Sequence, residues 1–378
     1  MAALRWNNLV GQERVKAVFE FAFQKETLGH AYLFCGERGI GKFAAAVDLA
    51  MAVLCKGAEA RPCGECPSCK KVKAYSHPDF HVIMPLVLGA EHKKDGVLTD
   101  EGWALAASSA KARIEDPYRL QRYDGIPDIP VEWVREANHA VMRGATAGPS
   151  NALIIDGVES MRKESANAML KTLEEPPPGT LMVLLTDKLH AVLPTIASRC
   201  QIIRFPLLPP DAIRAELRRR LDGGGNANAA VETAAASGSL GIAIEELENP
   251  LDEYYELAAS LWNDCLRGGW GSAAKSAENL SFGKDSFTTC RNTLSCLIQL
   301  IRFAFLKKFG QTASSINYIA VEASYQIELP KAAVPADIEH IVQIAQRAFS
   351  DLEARGNAML IMANLVCTLM ETLNGEEQ

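Results

Sequence analysis

The stretch His30–Phe43, HAYLFCGERGIGKF, decides the fold. It joins an unalternating apolar run, His30–Cys35, to a glycine-rich turn, and the turn to an alanine-rich stretch ending near Leu54. A short continuous apolar run predicts a strand buried on both faces, and the alanine-rich stretch predicts a helix over about Lys42–Leu54. Strand, turn and helix in that order put Gly36-Glu37-Arg38-Gly39-Ile40-Gly41-Lys42 in the context a phosphate loop needs, G-x-x-x-x-G-K. The glycines let backbone N–H groups curl round phosphate oxygens, the helix N-terminus adds positive potential, and Lys42 would reach the β- and γ-phosphates. A strand–helix junction that holds no nucleotide would use the same glycines. The next position should supply a Ser or Thr hydroxyl to Mg²⁺. Here it is Phe43, whose ring cannot ligate a metal and would crowd the site.

Outward from this stretch the alternation of strands and helices continues. Ala152–Asp156 (ALIID), Leu181–Thr186 (LMVLLT) and Gln201–Phe205 (QIIRF) read as further strands, which argues for a parallel α/β sheet. A helix over Lys163–Leu173 is stopped by Pro176-Pro177-Pro178, because proline cannot continue the hydrogen-bond ladder. Asp156 stands at a strand end, where an acid helps hold Mg²⁺ in nucleotide-hydrolysing proteins. The residue after it, which should be a water-polarising Glu, is Gly157, and Glu159 on the following turn should point elsewhere. Loss of both the metal ligand and the base removes terms of about 10²-fold or more each, so intrinsic ATPase activity is not expected.

Cys55-x7-Cys63-x2-Cys66-x2-Cys69 supplies four soft ligands on a short loop with Pro62, Gly64 and Pro67. Two-residue gaps let neighbouring thiolates turn toward one ion, and a closed four-sulfur site is structural rather than catalytic. Lys56, Arg61, Lys70, Lys71 and Lys73 would offset the charge of a zinc tetrathiolate. An iron–sulfur cluster also takes four cysteines, but nothing else in the chain argues for redox chemistry.

With 378 residues, two or three domains are expected. The composition, 48% hydrophobic and 22% charged, is that of a globular protein with real cores. No apolar run reaches the roughly eighteen residues of a membrane span, and the first residues lack a secretory pattern. A cytoplasmic location follows, in which the ten cysteines stay reduced. The net charge of −7 argues against an autonomous DNA binder. Leu207–Pro210 and Gly223-Gly224-Gly225 mark breaks, with a charged helix over Asp211–Leu221 between them. From about Asn249 the pattern is helical, with long segments at Ser295–Lys307 and Ile338–Leu373. Val87–Pro130 shows the least pattern and reads as a loop-rich insertion.

Several segments together resemble one family. Ser165–Pro177 (SANAMLKTLEEPP), Leu193–Cys200 (LPTIASRC) and Leu9–Glu13 (LVGQE) are similar to segments of the AAA+ subunits of bacterial DNA polymerase III clamp loaders. The cysteine module placed just after the phosphate-loop helix and followed by His77-Pro78-Asp79 is similar too. The resemblance covers roughly the first 205 residues; the rest is matched by helical character alone. Within the family, the gamma/tau motor keeps Lys-Ser/Thr, Asp-Glu and a sensor arginine. This chain has Lys42-Phe43, Asp156-Gly157 and, after Gly238-Ser239-Leu240, Gly241 in place of that arginine. The departures point to the delta-prime type.

The resemblance implies a RecA-like AAA+ domain over residues 1–206 with a zinc module at about 55–75. A helical lid over 207–247 and an all-α collar over 248–378 complete the implied architecture. It implies a degenerate nucleotide site at Gly36, Gly39, Gly41, Lys42 and Asp156 whose ATP binding is doubtful, and structural Zn²⁺ on Cys55, Cys63, Cys66 and Cys69. Arg199, the arginine of the Ser-Arg-Cys motif, would act in trans as an arginine finger in a neighbouring subunit's ATP site. A surface ion pair is the plain alternative for it. The implied partners are gamma/tau- and delta-type subunits in a hetero-pentamer, with sliding clamp and primed DNA reached through the complex. The collar would pack in the ring through Ile298, Ile301 and Phe305, a stripe that also suits the domain's own core. An active gamma/tau-like ATPase and a zinc-containing AAA+ adaptor outside replication are the alternatives.

Overall fold

The apolar runs lie side by side in one sheet. The computed structural model describes residues 3–57, 59–94, 97–121, 123, 127–221, 237–248, 252–282, 286–309, 327–330, 334–353 and 356–374. The strands are β1 (Ala3–Leu4), β2 (Ala31–Cys35), β3 (Ala60–Arg61), β4 (Phe80–Ile83), β5 (Lys93–Lys94), β6 (Val97–Leu98), β7 (Asn151–Ile155), β8 (Thr180–Thr186) and β9 (Gln201–Arg204). Five of them form a parallel sheet in the order β4-β7-β8-β2-β9. β2, β7 and β8 are buried along their whole length, as continuous apolar strands of a parallel sheet must be, whereas the edge strand β9 is largely exposed. β2 comes first in sequence among the five yet sits between β8 and β9, so the chain switches direction of travel beside it. The crevice outside the carboxyl ends of strands at such a switch is where open α/β sheets bind ligands.

The helices of this part are α1 (Glu13–Gln24), α2 (Lys42–Leu54), α3 (Pro67–Lys73), α4 (Asp100–Glu115), α5 (Val131–Met142), α6 (Lys163–Glu174), α7 (Pro194–Ala197) and α8 (Pro210–Arg220). α2 begins at the phosphate-loop lysine and is buried at almost every position. Its one interior acid, Asp48, accepts the N–H groups of Asn7, Asn8 and Leu9 at 2.9–3.1 Å and so fastens the N-terminal segment to the core. α6 ends at Glu174, just before the proline run.

The insertion over 87–130, expected to be loop-rich, carries the helix α4, sixteen residues long. Thr99 caps it by accepting the Gly102 N–H at 3.2 Å, and Asp100 and Glu101 favour its N-terminus. Its buried face is made of Gly102, Ala106, Ala110 and Ile114, too small to register as an apolar stripe.

The described residues fall into two compact units. One holds those up to 221 together with 237–245; the other holds those from 246 onward. The second unit is helical, with Asp252–Leu266, Trp270–Ser281, Ser286–Phe309, Pro335–Glu353 and Ala358–Asn374. Trp262 is fully buried in its core and donates its indole N–H to the Glu328 carbonyl at 2.9 Å. The apolar segment Ile338–Leu373 is two helices rather than one: Asn357 accepts the Leu360 N–H at 3.1 Å and starts a new helix directly after Gly356. Ile301 is fully buried in this core and Phe305 packs against it. No described helix is long and apolar enough to cross a membrane.

Candidate functional site

The carboxyl ends of β2, β7 and β8 bring Gly36, Asp156 and Asp187 to one rim of the sheet. Lys42 is buried there and fully engaged. Its Nζ donates to the carbonyls of Gly36 and Glu37, each at 2.6 Å, and lies 2.7 Å from an Asp187 carboxylate oxygen. Arg38 adds a second cation, 3.8 Å from the other Asp187 oxygen. The loop that would hold phosphate is thus folded on groups of its own chain.

Asp156 is paired as well. Arg113, from the last turn of α4, places its Nε 3.0 Å from Asp156 Oδ2, with both side chains largely buried. The same guanidinium lies 4.3 Å from the centroid of the Phe43 ring, a cation–π contact in a partly desolvated place. Its Nη1 donates to the carbonyls of Pro117 at 2.6 Å and Arg119 at 3.0 Å. The sequence pattern points to Phe43 as an obstruction; the structure gives it a partner. Glu159 accepts the N–H of Asp187, just past the end of β8, at 3.4 Å. Burial there pushes its carboxyl above the ordinary range.

Two glycines lock the departures in place. Gly157 has φ +66°, and a Cβ on it would come 2.8 Å from a ring carbon of Pro85, so a glutamate at this position meets both strain and a clash. A Cβ on Gly241 would come 2.6 Å from the Tyr118 carbonyl oxygen and 2.7 Å from the Gly39 Cα. An arginine side chain cannot leave the backbone there while residues 118–120 lie where they do.

Arg199 stands apart from this rim, between α7 and the start of β9. Its Nε donates to Glu174 Oε1 at 2.7 Å, Nη2 donates to the same oxygen, and Nη1 donates to the Thr195 carbonyl at 2.8 Å. The side chain is about a third exposed, held at the surface by the final residue of α6.

The four cysteines converge. Their Sγ atoms all lie within 4.8 Å of one another, with Cys55–Cys66 and Cys63–Cys69 at 3.9 Å. A tetrahedron with metal–sulfur bonds of about 2.3 Å has edges of about 3.8 Å, whereas a disulfide needs about 2.05 Å. Backbone N–H groups of Gly57 and Cys63 point at Cys55 Sγ, that of Cys66 at Cys63 Sγ, and that of Cys69 at Cys66 Sγ, at 3.2–3.4 Å. Such donors suit thiolates. Burial works against the Cys66 anion, but the N–H groups of Cys69 and Lys56 and the neighbouring thiols outweigh it and draw its pKa down to about 6. Burial pushes Cys55 and Cys69 up. The donor set fits zinc.

His77 and Asp79 tie this module to the sheet. The His77 Nε2 lies 2.8 Å from the Ser68 hydroxyl, which donates to the Leu54 carbonyl at 2.6 Å. Asp79 accepts the N–H and hydroxyl of Thr146 and the N–H of Ala147, each at 2.7 Å.

The sequence profile described as "DNA polymerase III, delta subunit" matches residues 11–209, more than half of the chain. The chain belongs to this family. DNA polymerase III subunit delta′ of Bacillus subtilis is 31% identical over 216 residues, 57% of this chain and 54% of that one. The delta′ subunit of Haemophilus influenzae is 32% identical over 178 residues, 47% of this chain and 43% of that one. The Bacillus subtilis tau subunit is 30% identical over 219 residues, 58% of this chain and 32% of that one. Within the family the chain is of the delta-prime type, the kind two of these relatives represent. The chain spans about half the length, or less, of the relatives it matches. The matched region contains the phosphate loop, the four cysteines and Arg199.

Three residues that the sequence reading passes over, Arg113, Tyr118 and Asp187, hold the rim together. Thr99-Asp100-Glu101 before an Ala-, Lys- and Arg-rich stretch is the signal that would have revealed α4, and with it Arg113.

Proposed function

We propose that this chain is a non-hydrolysing, delta-prime-type subunit of a DNA polymerase III clamp loader that lends Arg199 to the ATP site of a neighbouring gamma/tau-type subunit. One observation carries the first half of this reading. Asp156, the acid at the usual metal position, is paired with Arg113, which stacks on Phe43. A carboxylate in that state has no need of a divalent cation, and the ring beside it offers no hydroxyl.

The second half rests on Arg199 in the Ser-Arg-Cys segment. A planar, permanently charged guanidinium stabilises a transferring phosphoryl group and is worth about 10³–10⁵ in rate. Glu174 and the Thr195 carbonyl hold it at the surface, where its side chain is about a third exposed. Cys55, Cys63, Cys66 and Cys69 would hold one Zn²⁺, which closes the loop between α2 and α3 and supplies no catalysis.

Residues 1–206 would form the AAA+ domain, 207–247 its lid and 248–378 the collar, with gamma/tau- and delta-type subunits completing a hetero-pentamer that places a sliding clamp on primed DNA. The likeness to a tau subunit favours an ATP-hydrolysing motor as the second reading, but Phe43, Gly157 and Gly241 each oppose it. Reconstitution with gamma/tau- and delta-type subunits tests the proposal. Arg199→Ala should leave assembly intact and cut both ATP hydrolysis and clamp loading. Rapid ATP turnover by the isolated chain would overturn it.

A further inference from the structure

Between α5 and β7 the chain runs through small residues, Gly144-Ala145-Thr146-Ala147-Gly148-Pro149-Ser150, and the cysteine module carries Lys56 and Arg61. Both stretches line one pocket of about 170 Å³, together with Val53 and Leu54 from the last turn of α2. The segment His77-Pro78-Asp79 fixes its two sides. Asp79 holds the N–H groups of Thr146 and Ala147, while His77 engages Ser68, whose hydroxyl donates to the Leu54 carbonyl. The other ring nitrogen of His77 accepts the Asp79 N–H at 3.1 Å. With both nitrogens engaged, the ring lines the pocket as a wall and offers no free donor.

The cations of this pocket differ from the others described above. Lys42, Arg113 and Arg199 each meet a carboxylate, whereas among the described residues neither Lys56 nor Arg61 does. Arg61 is half-buried, and its Nε donates to the Gly57 carbonyl at 2.7 Å, which orients the guanidinium and leaves its Nη edge for a carboxylate. Gly148 is a second, independent sign. Its φ lies outside the left-handed region and a Cβ on it would meet no atom within 4 Å, so the fold does not demand glycine there. What a bare backbone does at that position is leave room for something to approach. Size then narrows the occupant. The pocket is well below the roughly 300–1,000 Å³ of sites for cofactor-sized ligands, and its walls of Val53, Leu54, Ala147 and Pro149 suit one apolar side chain.

We propose that the pocket between the cysteine module and residues 147–150 docks an acidic peptide segment of a protein partner. One apolar side chain of that segment enters beside Leu54 and Pro149, and a neighbouring carboxylate meets Arg61 and Lys56. The apolar contact supplies the anchor and the charge pair the selectivity, as in other short-segment recognition. The site stands apart from the phosphate loop and from Arg199, and it gives the cysteine module a task beyond closing its own loop.

The experiment is fluorescence anisotropy of the full chain with three labelled probes: a pentapeptide of alternating Glu and Leu, the same peptide with Gln for Glu, and a short oligothymidylate. Wild type should bind the acidic peptide with a midpoint below about 100 μM and the Gln peptide about tenfold more weakly or worse. Lys56→Glu with Arg61→Glu should lose about tenfold or more for the acidic peptide. Gly148→Leu keeps every charge and fills the open space, and it should lose a similar factor. Zinc content and melting midpoint are checked for each variant; if Arg61→Glu loses either, Lys56→Glu alone carries the charge arm. Three results would overturn the proposal: no binding of the acidic peptide by wild type, unchanged binding by Gly148→Leu, which marks a merely basic surface, or preference for the oligothymidylate, which marks a nucleic-acid contact. None of them touches the role of Arg199, which is read from a partner's ATP hydrolysis.

Discussion

The Nε of Arg113 lies 3.0 Å from Asp156 Oδ2, across a rim where one residue comes from an insertion helix and the other directly follows β7. The pair couples the insertion to the residue that most nearly keeps its catalytic appearance. Asp156 thus meets a cation of its own chain, and that cation stacks on Phe43.

Restoring the familiar residues should therefore not restore catalysis. Phe43→Thr combined with Gly157→Glu should give no ATP hydrolysis above background in a phosphate-release assay. Arg113 still covers Asp156, and the new glutamate meets Pro85. The double variant should also be destabilised by about 2 kcal/mol or more, from the strain at φ +66° and the lost stacking on Arg113.

Zinc content gives an independent check. The purified chain should hold one equivalent of Zn²⁺, and Cys69→Ser should lose it. At pH 7.5 Cys66, drawn to about 6, is already a thiolate, whereas Cys55 and Cys69, both raised by burial, must each release a proton to the solvent on binding. Affinity should rise with pH, by about 10-fold per unit for each proton released. Competition with a chromophoric chelator between pH 6.5 and 8 measures the slope, and a flat profile would contradict the assignment.

The helical unit should respond to Trp262 alone. Trp262→Ala removes a fully buried ring and strands the Glu328 carbonyl, at a cost of about 3–5 kcal/mol. Two-step unfolding followed by circular dichroism should show the loss in one transition.

Glu174 separates the two readings of Arg199. If their ion pair were only a surface contact, Glu174→Gln and Arg199→Lys would have equally small effects, below about 1 kcal/mol on stability and none on a partner's ATPase. The trans role predicts a partner ATPase within a few-fold of wild type for Glu174→Gln. For Arg199→Lys it predicts a drop of about 10³-fold at the adjacent site.

The parallel sheet was legible because its strands are continuous apolar runs, and α2 because its alanines follow the loop directly. The cysteine spacing carried the cluster, since ligand gaps of two residues leave few geometries. What stayed hidden was the content of the insertion. α4 packs through Gly102, Ala106 and Ala110, residues with too little apolar bulk to mark a face, and the role of Arg113 depends on Asp156 from a strand 43 residues later. Asp187 was hidden for the same reason: its partner, Lys42, is 145 residues away in sequence. Ion pairs of that separation leave no local pattern. The break at Gly356-Asn357 was legible as a capping signal but lay inside an unbroken apolar period.

The central claim is that the chain has given up its own catalysis and keeps one catalytic group for a neighbour. Pre-steady-state phosphate release by the reconstituted loader, with wild type or Arg199→Ala and co-elution verified, tests it most directly. The account predicts that the variant loses the burst contributed by the site next to this chain while the isolated chain releases no phosphate in either form. A burst of unchanged rate and amplitude in Arg199→Ala would contradict it.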